Sequence, residues 1–136
     1  MSRKIKIIEC PRDAMQGLTR LIPTEQKAQY VNSLMKVGFD IIDVGSFVSP
    51  KLVPQMADTG DLLDLLNTDY DISLLAIVLN KQGAMQASSF DQIKILGYPL
   101  SISEIFQKKI QIKILSHLLM LLIKFSISVY RKINNC

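Results

Sequence analysis

Glu9-Cys10-Pro11-Arg12-Asp13 is the stretch of this sequence best equipped for chemistry. Its carboxylates can hold a hard divalent cation, and its guanidinium can bind a substrate oxyanion through a rigid fork of donors. Gln16 follows closely, and Asp43 adds a carboxylate thirty residues after Asp13. By spacing alone the signal is weak. An Arg-Asp pair is common in surface loops and contributes little there, and a lone strand-end Asp can simply cap the loop that follows it.

The elements around these residues place them more informatively. Lys4 to Glu9 alternates as K-I-K-I-I-E and stops at Cys10-Pro11, which predicts a first strand. Pro23-Thr24 starts a helix over about Thr24 to Val37, with Tyr30, Val31, Leu34 and Val37 at helical spacing and Gly38 as its stop. Phe39 to Val44, bounded by Gly38 and Gly45, predicts a second strand, and Ser49-Pro50 with Pro54 marks a long loop after it. Leu62, Leu63, Leu65 and Leu66 suggest another helix. Ile72 to Leu79 is nearly continuous apolar sequence, as expected of a parallel strand covered on both faces. A helix over Gln82 to Phe90 and a strand over Gln92 to Leu96 complete the pattern.

Strands therefore recur about every 20 to 35 residues with helices between them, the signature of stacked right-handed β/α units and a parallel sheet. Polar residues gather just after the predicted strands: Glu9, Arg12, Asp13 and Gln16, then Asp43 and Ser46, then Asn80, then Tyr98, Ser101, Ser103 and Glu104. In parallel α/β folds the sites form at those strand ends.

Charge divides the chain. Residues 1–104 hold all 12 acidic and 10 basic side chains, net −2, whereas residues 105–136 hold 6 basic and no acidic ones, net +6. The basic character thus belongs to the C-terminal stretch, which also lacks Gly, Pro, Ala and Thr but contains seven Ile. No nucleic-acid partner is indicated by the rest of the chain. Cys10 and Cys136 are too few for a disulfide framework, so a reducing compartment is the default. The basic N-terminus is not followed by an apolar run, because Glu9, Pro11, Arg12 and Asp13 interrupt it; no secretory signal is expected, and a cytoplasmic location is. Ile114 to Tyr130 has the look of a membrane segment, but His117 and Lys124 interrupt it and its longest unbroken apolar stretch is Leu118 to Ile123, so a span is not expected.

E-C-P-R-D-A-M-Q-G (Glu9 to Gly17), I-P-T (Ile22 to Thr24), G-S-F-V-S-P-K-L-V-P-Q-M (Gly45 to Met56) and L-G-Y-P-L-S-I-S-E (Leu96 to Glu104) together resemble the hydroxymethylglutaryl-CoA lyase family. The resemblance covers about residues 4–109. It implies an α/β chain forming the N-terminal part of a (β/α)8 TIM barrel, about four parallel β/α units, followed by an atypical apolar, basic C-terminal tail over residues 110–136. It further implies metal-dependent cleavage of 3-hydroxy-3-methylglutaryl-CoA to acetoacetate and acetyl-CoA, with Mg²⁺ or Mn²⁺ as the cofactor and an acyl-CoA as the ligand. Arg12 matches the catalytic arginine, Asp13 a metal ligand, and Gln16 a position beside them. Asp43 matches a catalytic Glu, shortened here by one methylene.

The resemblance also assigns to the family an H-x-H pair and an Asn on the metal, and a Cys in a mobile glycine-rich loop. None has a counterpart here, since His117 is the sole histidine and Cys10 belongs to the first strand. Little turnover is therefore expected of this chain alone. The change in composition near residue 105 and the AT-rich codons implied by Ile and Lys suggest a frame-shifted reading of the family's continuation. A half-complete barrel would leave a sheet edge uncovered, which favours self-association into a homo-oligomer. Two further readings stand beside the lyase: a related aldolase or acyl-CoA condensing enzyme, which shares the Arg-Asp pair, and a non-catalytic remnant whose tail binds a membrane surface or a partner.

Overall fold

The computed structural model describes residues 5–67, 69–99, 103 and 105. The tail over residues 110–136, with His117 and the segment Ile114 to Tyr130, lies outside them, as do Ser101 and Glu104. The chain runs β1 (Ile8–Glu9), α1 (Pro11–Gln16), α2 (Thr24–Met35), β2 (Ile41–Ser46), a 3-10 turn (Pro54–Met56), α3 (Thr59–Asp64), β3 (Ser73–Ile77), α4 (Lys81–Ala87) and β4 (Ile93–Gly97). The strands form one sheet in the order β1-β2-β3-β4, each neighbouring pair parallel. This is the predicted α/β layout of four parallel β/α units.

Helix α2 shows why the local sequence works. Pro23 is compatible with a helix start, and Gly38 takes a φ of 92°, in the left-handed region that a side chain resists, so the chain leaves the helix as expected. The buried stripe differs from the predicted one. Lys27, Ala28, Val31 and Met35 face inward, while Tyr30 and Val37 are exposed, because the buried face of α2 is centred about a third of a turn from Tyr30 and Val37 lies beyond the end of the helix.

Ala28, Val31 and Met35 pack with Leu62, Leu63 and Leu66 against Ile42, Val44 and Leu74 of the sheet. Val31, Ile42, Leu62 and Leu63 have no exposure at all, and burial of each such side chain is worth about 1.5–3 kcal/mol. A smaller cluster, Val78, Ala84 and Ala87 with Leu96 and Phe47, seats α4.

The strands depart from prediction in three ways. Among the described residues β1 pairs only over Ile8 and Glu9 and has a single strand neighbour, while Ile5 and Ile7 remain exposed. β2 runs through Gly45 to Ser46 rather than ending at Val44, since Gly45 lets α3 approach: a Cβ there would lie 2.5 Å from the Thr59 methyl. β3 is buried on one face only. Leu74 and Ala76 face the helices, while Ser73, Leu75 and Ile77 remain partly exposed, so the opposite face of the sheet is incompletely covered. That face carries Asp43, which stands in register with Leu75, and a register shift between Asp43 and Gly45 brings Ser46 opposite Ile77.

Candidate active site

Short helix α1 was not anticipated, although Pro11 at its first position is a helix-start residue whose missing N–H costs nothing there. The Cys10 carbonyl opens the turn by accepting from the amides of Asp13 (3.2 Å) and Ala14 (3.3 Å). Its consequence is chemical: Arg12 and Gln16, one turn apart, share a face, and the Arg12 Nη1 donates to Gln16 Oε1 at 2.7 Å.

The guanidinium is the centre of the site. Its Nε donates to both oxygens of Asp43 (3.2 and 3.1 Å) and its Nη2 to Asp43 Oδ2 (2.6 Å), a side-on grip across from α1 to β2. Nη1 donates to Asp13 Oδ1 at 3.1 Å as well as to Gln16. All four residues singled out from the sequence, Arg12, Asp13, Gln16 and Asp43, therefore meet on one side chain. Of the five N–H groups of the guanidinium, the second on Nη2 takes no partner among the described residues.

The two sides of the guanidinium differ. Asp43 is 5% exposed and Arg12 13%, whereas Asp13 is 66% exposed. Burial pushes the Asp43 carboxyl above its ordinary 3.8, outweighing the hydrogen bond and charge of Arg12 that draw it down. For Arg12, burial opposes the charge, but the hydrogen bond and attraction of Asp43 prevail and raise its pKa. Cys10, exposed at the start of α1, has its thiol pushed up by burial and by the charge of Asp43, against the pull of Arg12.

Other predicted positions take different roles. Asn80 caps α4, its Oδ1 accepting from the Gly83 amide at 2.8 Å. Ser46 is tied to α3 through Thr59, whose hydroxyl accepts from the Ser46 amide (3.1 Å) and donates to carbonyl oxygens of Ser46 and Met56. The Tyr98 hydroxyl, at the end of β4, is buried without a hydrogen-bond partner among the described residues, and burial raises its pKa.

A second polar network escaped the sequence reading. Lys27, 2% exposed, donates to the Gln55 carbonyl and to Asp58 Oδ1 at 2.7 Å, and Thr24 donates to Asp58 Oδ2 at 2.6 Å. Its only local signal was V-P-Q-M at the end of the long matched stretch.

No family model matches the chain. Individual relatives do: the mitochondrial hydroxymethylglutaryl-CoA lyase of Mus musculus is 32% identical over 112 residues, covering 80% of this chain and 34% of the relative. The cytoplasmic 3-hydroxy-3-methylglutaryl-CoA lyase of Rattus norvegicus is 34% identical over 106 residues, covering 77% and 31%. The HMG-CoA lyase structure from Bacillus subtilis superposes with a TM-score of 0.86 at 28% identity, over 96% of this chain and 44% of that one.

The chain belongs to the hydroxymethylglutaryl-CoA lyase family. Its four β/α units correspond to the N-terminal part of the family's TIM barrel, and the chain spans about a third of the length of the curated relatives it matches. An HMG-CoA lyase from Acinetobacter baumannii, solved in complex with coenzyme A and 3-methylmalate, superposes with a TM-score of 0.82 at 26% identity, over 88% of this chain and 39% of that one. For a divalent cation the exposed Asp13 carboxylate is a suitable hard oxygen donor, its Oδ1 already accepting from Arg12 Nη1 and so competing with a cation. The donor set is not complete: among the described residues no three His, Cys, Asp or Glu side chains come together.

Proposed function

We propose that this chain carries the arginine half of a hydroxymethylglutaryl-CoA lyase site, the half that binds and steadies the reacting oxygen of an acyl-CoA. The observation that supports this reading is the guanidinium of Arg12, gripped on one edge by buried Asp43 and turned on the other toward exposed Asp13 and Gln16. In the reaction, the tertiary hydroxyl of 3-hydroxy-3-methylglutaryl-CoA loses its proton and its oxygen becomes a ketone. The adjacent carbon–carbon bond breaks, and its electron pair leaves as the enolate of acetyl-CoA, which is then protonated.

Arg12 contributes at the oxygen. Negative charge develops there before the bond breaks, and a fixed cation offering a spare N–H stabilises it more in the transition state than in the bound substrate. Asp43 is a positioning residue in this reading: both of its oxygens are engaged by Arg12, which fixes the plane of the guanidinium. Gln16 and Asp13 hold Nη1 until a substrate oxygen replaces them, at small cost because both are exposed to water. Asp13 would hold one position on a divalent cation, Mg²⁺ or Mn²⁺.

Calorimetric titration of the chain with 3-hydroxy-3-methylglutaryl-CoA in Mg²⁺ tests the reading. Binding should weaken at least about tenfold in Arg12→Met, as expected when a charge-assisted contact is lost. Equal affinity of the two chains would rule out Arg12 as the oxygen-binding group. Turnover to acetoacetate by the chain alone is expected to be low.

A further inference from the structure

We propose that Gln55 is a positioning residue for the Arg12 site, through which the loop after β2 holds α1 and the segment that follows it in place. Residues 17–21 are all exposed, with Leu18 and Leu21 at 52% and 60%, so apolar burial does not anchor this segment. Helix α1, six residues long, is too short to be stable on its own. Beside the buried Pro11 and Met15 and the Arg12–Asp43 bonds that seat α1, the group that ties the helix to the following segment is the side chain of Gln55, itself 2% exposed. Its Nε2 donates to the carbonyls of Met15 (3.4 Å) and Arg20 (3.0 Å), and its Oε1 accepts from the Ile22 amide at 2.9 Å. One amide thus bonds to three backbone groups spread over the end of α1 and the approach to α2, the Met15 carbonyl accepting from the Leu18 amide as well.

Gln55 can do this because it is itself fixed. Its backbone carbonyl accepts from buried Lys27, whose charge is balanced by Asp58, and Asp58 is in turn held by Thr24. Pro11 and Met15, both buried, add the apolar contacts of α1. Arg12 and Gln16 ride on that helix, whereas Asp43 is fixed independently in β2. A shift of α1 by even one ångström would therefore open the Arg12–Asp43 grip, and misplacement of that size is enough to impair a site. The purpose assigned to this anchoring rests on the lyase reading; the anchoring itself does not.

Gln55→Met keeps the length of the side chain and removes its donors and acceptor. Hydrogen exchange on the full chain should show the amides of residues 14–22 opening at least about tenfold faster in this variant, while the Phe47 amide, bonded to the Ile77 carbonyl across β2 and β3, keeps its protection. A second readout is the binding of 3-hydroxy-3-methylglutaryl-CoA in Mg²⁺, which folded Gln55→Met should show at least about tenfold weaker because Arg12 is no longer held in place. A uniform loss of stability would not move the affinity of the folded protein. Unchanged exchange over 14–22 together with unchanged affinity overturns the proposal. Should Gln55→Met not fold, the native chain decides: an Ile22 amide exchanging at the rate of an unprotected loop also overturns it, and a protected one supports it. If the segment loosens as expected but Arg12→Met leaves substrate binding intact, the lyase reading fails and the role of Gln55 stands.

Discussion

Two ion pairs, each joining residues thirty-one positions apart, do different work in this protein. Arg12 with Asp43 and Lys27 with Asp58 are both strongly shielded, with side-chain exposures of 13% and 5% in the first and 2% and 23% in the second. Lys27 points into closed surroundings, where a backbone carbonyl and a carboxylate receive its ammonium between α2 and the start of α3. Arg12 is closed on one edge only; its other edge meets exposed Asp13 and Gln16. A closed pair fixes helices. A half-open pair keeps a charge oriented yet available to a ligand. Chemistry suits the cation as well, since Lys is a point charge and Arg a planar fork that can be gripped on one edge and used on the other.

The largest expected effect comes from breaking the closed pair. Asp58→Ala leaves the buried Lys27 charge without its carboxylate and removes the acceptor of Thr24, and urea unfolding should show a loss of about 3–5 kcal/mol. Arg12→Met leaves Asp43 buried and unpaired, at an expected cost of about 2–3 kcal/mol at neutral pH, which should shrink as the pH falls because burial holds that carboxyl above its ordinary 3.8. An Arg12 variant as damaging as Asp58→Ala at every pH would remove the distinction.

Gly45→Ala tests the link between the two regions. Its added methyl would meet Thr59 at 2.5 Å, pushing α3, which carries the closed network, away from β2, which carries Asp43. A cost of about 1–3 kcal/mol in thermal unfolding is expected from overpacking. The smallest effect is a pH dependence. Because the folded Asp43 carboxyl titrates above the 3.8 of the unfolded chain, its contribution to stability is lost as pH rises through the folded value and fully present below 3.8. In Asp43→Asn the slope of stability against pH in that window should become less negative. The same slope in both chains would mean that another group is responsible.

How much of this was legible from the sequence depended on distance along the chain. The strand and helix alternation and the stop at Gly38 are written in neighbours within a few residues, and their positions agree with the fold to within a few residues; Asn80, read as a strand-end polar residue, caps α4. Helix α1 was legible in principle from Pro11 at its first position, yet its short length gave no hydrophobic period to recognise. The matched motifs singled out Arg12, Asp13, Gln16 and Asp43, although nothing in their order showed that all would converge on one guanidinium.

The sequence by itself determined the four β/α units, the residue types of the site, and the family to which they belong. Tertiary structure alone decided which carboxylate each buried cation takes: Asp43 for Arg12, Asp58 for Lys27. It also decided that Gln55 would bond to residues 33 to 40 positions before it. The reason is physical. Periodicity and turns are set by contacts within one or two turns of chain, whereas the partner of a charged side chain is set by which elements pack beside it once water has been excluded.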